Sequence, residues 1–158
     1  MNFKQTQMKM SSQLTFIVLA VFAGAMIPFQ SAMNAQLSKT LQSPYYSAFS
    51  VFIVAALAIL FYILISQFAI PSTAQFAAAP KWSYLGGILG GSYILLIVIC
   101  APKLGIGNVT IMVLLGQIIA ATFIDHFGLL NASIHSINWQ RVVGLGLIIT
   151  GVYLVKKF

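Results

Sequence analysis

Ala48 to Ile65, AFSVFIVAALAILFYILI, is a run rich in Phe without a single charged residue. Four other runs of similar character stand in the same chain. A helix needs about 20 predominantly apolar residues to cross the ~30 Å hydrocarbon of a bilayer. No water reaches the peptide groups there, so such a run closes its own hydrogen bonds as a helix. The expected fold class is an all-α membrane protein of five transmembrane helices. Composition points the same way: of 158 residues 60% are hydrophobic and 6% charged, too little polar side chain to cover a water-facing surface. A soluble domain is excluded.

In chain order, residues 1–13 carry Lys4 and Lys9, lack hydrophobic periodicity and read as a polar N-terminal tail. Residues 14–157 read as a single five-helix domain with spans at about 14–37, 44–67, 82–100, 106–126 and 139–155. The basic start, the apolar run from Leu14 and the small residues Ala23 to Ala25 imitate a signal peptide. The apolar stretch continues past Ala25, so we read the segment as retained. Pro44 opens the second span beside Tyr45 and Tyr46, and Lys81 with Trp82 marks the membrane edge before the third. Between them, Phe68 to Pro80 is the longest loop or a brief surface helix. Pro102, Lys103 and Gly105 are expected to break the third span, and Trp139 with Arg141 to anchor the fifth.

The formal charge of +7 comes from eight basic residues that are scattered rather than clustered with aromatics, which argues against nucleic acid and for lipid headgroups. Orientation should follow their bias between loops. On the N-terminal side stand Lys4, Lys9, Lys81 and Arg141, and on the other Lys39, Lys103, Lys156 and Lys157, four against four. An odd number of spans with balanced charge suits insertion both ways and an antiparallel homodimer, or a heterodimer with a paralogue.

Polar residues within the spans are the candidate site residues. Gln30 and Asn34 are one helical turn apart on one face, with Ser31 beside them and Pro28 expected to kink the helix. Gln117, Ser92 and Tyr93 fall near mid-membrane and are candidate substrate contacts with Gln30 and Asn34. Asp125 is the one acidic residue in the chain and His126 follows it. An intramembrane carboxylate is a suspect for a gate or proton relay; equally, the pair marks where the fourth helix leaves the membrane. Gly86/Gly90, Gly87/Gly91, Gly116/Ala120 and the glycines at 144, 146 and 151 read as helix-contact faces, expected first within one chain. We expect no catalytic residues, no metal site and no cofactor: there is no metal-ligand cluster or nucleophile–base pair, and Cys100 stands alone.

The segments PFQSAMNAQLSKTLQSPYYSAF, WSYLGGILGGSYILLIVICAPKLG and GQIIAATFIDHFGLL together resemble the small bacterial YdcZ-type family, also described as DUF606, of the drug/metabolite transporter superfamily. The resemblance covers nearly everything after residue 13. It implies a five-helix half-transporter of the inner membrane, whose single-domain members form antiparallel pairs. The first span also lacks the embedded Glu that small multidrug resistance proteins use for proton and cation exchange. The resulting expectation is a small-molecule transporter or exporter working by alternating access, with a passive channel or structural membrane subunit as the alternative.

Overall fold

The computed structural model describes residues 3–157, with side-chain surroundings from Gln13 onward. Its described residues are all helix and connection: α1 (Phe3–Leu41), α2 (Pro44–Ser66), α3 (Thr73–Ala78), α4 (Leu85–Leu104), α5 (Ile106–Phe127) and α6 (Trp139–Lys157), with short 3₁₀ turns at Lys81–Tyr84 and Leu129–Asn131. Four stretches are long and apolar enough to cross a membrane: Gln13–Leu41, Pro44–Ser66, Lys81–Leu104 and Ile106–Phe127. A helix does form where the fifth span was expected. At 19 residues, with Trp139 to Arg141 at one end and Lys156 and Lys157 at the other, α6 falls short of that apolar length.

α1 runs on to Leu41, past the expected end near residue 37, and two further boundaries differ from expectation. The tail is helical from Phe3, with Met1 and Asn2 outside the described residues. Nothing between Phe3 and the apolar run is Gly or Pro, so a helix nucleated in the run propagates backward through good helix formers. The third span passes Pro102 and ends at Leu104. One proline near the helix end removes a single hydrogen bond, whereas Gly105 at φ 84° takes the backbone out of the helical region altogether.

The chain divides into two units, Met1–Lys103 and Leu104–Phe158. In the first, α1 and α2 form a helical hairpin. Gln42, left-handed at φ 53°, ends α1, and Ser43 caps α2 by accepting from the Tyr46 N–H. The buried positions on α1 are Ser31, Asn34, Ala35 and Ser38, an i, i+3, i+4, i+7 stripe, and on α2 they are Ser47 and Ala48. Small side chains let the two backbones approach, and the fully buried Ser47 hydroxyl donates to the Asn34 carbonyl at 2.9 Å. On α4 the buried residues are Ile97, Val98 and Ala101.

Beyond α2, a capping box starts α3: Gln75 N–H donates to Ser72 Oγ and Ser72 N–H to Gln75 Oε1. The Tyr84 hydroxyl then donates to the Phe76 carbonyl, tying α3 to the entry of the third span. In the second unit α5 packs against α6 and the 3₁₀ turn between them.

Glycine is not what brings these helices together. At Gly86, Gly87, Gly90, Gly91, Gly116, Gly144, Gly146 and Gly151 no neighbouring atom of the described residues lies within 4 Å of where a Cβ would sit. Within each unit close helix contact does not use these faces, and in the α1–α2 hairpin it uses Ser and Ala.

Candidate functional site

Hydroxyls on the membrane helices are mostly satisfied by their own backbone. Ser31, Ser50, Thr110, Thr122 and Thr150 each donate to the carbonyl four residues earlier. This is the economical solution where water is absent. Against that pattern, the unsatisfied groups stand out.

Asn34 and Tyr93 are two of them. Asn34 is 6% exposed, its carbonyl is taken by Ser47, and its side-chain amide has no hydrogen-bond partner among the described residues. Asn34 lines an open groove of about 630 Å³ whose lining residues all belong to α1. Gln30, one turn earlier, is also in the lining, exposed and without a partner. Around these two amides the surface is apolar: Phe22, Met26, Phe29 and Met33 form a stripe along the helix. Pro28 lies within this stretch, and because proline has no N–H the Gly24 carbonyl lacks its intrahelical donor. Measured back from Lys39 at the helical rise, Asn34 lies about 7.5 Å and Phe22 about 25 Å along α1. The cavity thus covers much of one hydrocarbon thickness, about 30 Å.

The other candidate contacts do not join it. Ser92 is exposed and Tyr93 half-buried on α4, neither lining this cavity. The Tyr93 hydroxyl is buried without a partner. Gln117 lies on α5, exposed, with no hydrogen bond among the described residues.

Asp125 and His126 sit at the end of α5 in a different setting. Gly128, left-handed at φ 59°, ends the helix, and its N–H donates to the Ile124 carbonyl. The chain returns over this end: His135 N–H donates to the Asp125 carbonyl at 2.9 Å and Ile137 N–H to His126 Nδ1 at 3.1 Å. Arg141 Nη1 lies 3.7 Å from Asp125 Oδ2 and donates to the His135 carbonyl at 3.1 Å. Asn138 Oδ1 caps α6 by accepting from the Arg141 N–H. Both partners of the ion pair are more than a third exposed, so the pair adds little stability and serves mainly to fix the loop. Asp125 and His126 do not bond to each other directly; each is engaged with the returning loop.

Sequence reasoning treated Arg141 only as a membrane anchor and missed it as the partner of Asp125. The signal was present: the chain has one acid and one arginine, separated by a polar loop of about the length that folds back. The Phe22, Met26, Phe29, Met33 stripe was likewise readable from its spacing.

Four long apolar helices with backbone-satisfied hydroxyls define an integral membrane protein. A family model described as "DMT_YdcZ: Putative inner membrane exporter, YdcZ" matches residues 15–154. The chain belongs to this family, and is accordingly an inner-membrane transport protein and not an enzyme. No curated protein matches it. No solved structure matches it either.

Proposed function

We propose that this chain exports a small molecule by alternating access as an antiparallel homodimer, with α6 as a fifth crossing and the Gln30–Asn34 face of α1 as the cargo contact. The observation that carries the reading is Asn34. Asn34 is a buried residue whose side-chain amide makes no hydrogen bond among the described residues, and it lines an open groove along α1 at membrane depth. Leaving such a group without a partner is costly, so its retention argues for a ligand that supplies one.

Three features support a second copy. The glycine faces of α4, α5 and α6 are uncovered. Gln117 is exposed on an apolar helix, where an unpaired amide facing lipid is unfavourable. Basic residues are balanced four against four between the two sides. An inverted pair would line the cavity from both halves and open it to each side in turn. In this scheme Asp125, held by Arg141, acts as a latch at the membrane end; the proton-relay alternative requires it to be free to titrate.

Two measurements test the proposal. A cysteine placed in the segment 68–80 of a Cys100→Ala chain, labelled in intact membranes, should react from both sides, and strictly one-sided reaction defeats dual insertion. For the site, Asn34→Leu should abolish export in reconstituted vesicles while the protein still assembles.

A further inference from the structure

Resting on that reading of the cavity, we infer that its cargo is an uncharged small molecule with an apolar body and one hydrogen-bonding edge, such as a primary amide or an alcohol, and not an organic cation. None of the residues that line the cavity is charged. A cation entering at this depth would meet no carboxylate to replace its hydration, and an isolated charge in hydrocarbon is strongly disfavoured. The described ion pair of the chain shows why a partner copy does not change this. Asp125 is already matched by Arg141 at 3.7 Å, so a second copy closing the cavity would bring the two together, with no net charge. The whole chain carries +7, which also disfavours a cation over the surface.

What the cavity does offer is defined chemistry. Asn34 and Gln30 each present an amide N–H₂ donor and an amide oxygen acceptor, so together they satisfy a group that both donates and accepts. Phe22, Phe29, Met26 and Met33 provide aromatic and thioether surface for a flat apolar body. The groove, about 630 Å³ and open along one side, takes a drug-sized or smaller molecule once the proposed second copy covers it.

The test uses the full chain in lipid nanodiscs and three radiolabelled probes of nearly the same shape: phenylacetamide, phenylacetate and 2-phenylethylammonium. Phenylacetamide should bind at least about tenfold more tightly than either charged probe, and Asn34→Leu should remove that preference. Asn34→Asp, which places a carboxylate in the cavity with little change of size, should turn the preference toward 2-phenylethylammonium. If a charged probe binds the native chain as tightly as the amide, and Asn34→Leu still weakens it, the cargo class is wrong and the site stands. If Asn34→Leu and Asn34→Asp leave all three affinities unchanged, or no probe binds, the site itself is wrong and the inference falls with it.

Discussion

The chain turns a helix back on its neighbour at two corners, and the corners are built from opposite materials. Between α1 and α2 the connection is two residues long, and the contact behind it is buried Ser and Ala with one hydrogen bond, from Ser47 to the Asn34 carbonyl. Between α5 and α6 the connection runs from Gly128 to Asn138 and is sewn by the His135, Ile137 and Arg141 hydrogen bonds and the Asp125 ion pair, all on partly exposed groups. At the α5–α6 corner polar groups are used up in closing the loop. At the α1–α2 corner an amide is left over, inside the membrane span. Groups already bonded within the chain have little left to offer a ligand, so the corner that leaves an amide unbonded is the better candidate for binding.

Asn34→Leu would sharpen this contrast most. It should reduce transport in vesicles by more than about tenfold, a barrier change near 1.4 kcal/mol, while leaving thermal stability in detergent within about 0.5 kcal/mol of native. A large stability loss would instead make the amide part of the packing. Next in size is Ser47→Leu, which puts a larger side chain where exposure is 0%; overpacking should cost about 1–3 kcal/mol, read from the thermal unfolding midpoint. At the other corner, Gly128→Ala should cost about 1–2 kcal/mol. Its backbone is left-handed at φ 59° and a Cβ would meet Ile134 Cγ1 at 2.7 Å, so a neutral result would mean the corner rearranges easily. The smallest effect belongs to the pair itself. A double-mutant cycle over Asp125→Asn and Arg141→Gln should give a coupling below about 1 kcal/mol, because both side chains are over a third exposed. Export should fall less than about threefold in Asp125→Asn. A loss of transport there, with stability retained, would make Asp125 a relay and overturn the contrast.

Much of the fold was legible because lipid enforces simple rules. Apolar length predicted α1, α2, α4 and α5 as spans, and Pro44 at a helix start was read correctly. What escaped was decided by context. Of the residues expected to end the third span, Gly105 does so, whereas Pro102 does not, because a single missing N–H near a helix end is tolerated. The glycines were read as internal contacts because spacing alone says where two backbones are able to approach, not which ones do. For the candidate site, Gln30 and Asn34 were visible as two amides one turn apart. Whether Asn34 kept its side chain free depended on Ser47 taking the backbone carbonyl instead, a contact between residues 13 apart that no local pattern encodes.

One further consequence follows from the length of α1. Its 39 residues span roughly 58 Å at the helical rise, against about 30 Å of hydrocarbon. Ordinary tilt, up to about 40°, absorbs only part of the excess. The apolar stretch itself, Gln13–Leu41, has 29 residues, so the helix is longer than the span it contains. A helix that outruns the hydrocarbon in this way extends past one face of the bilayer.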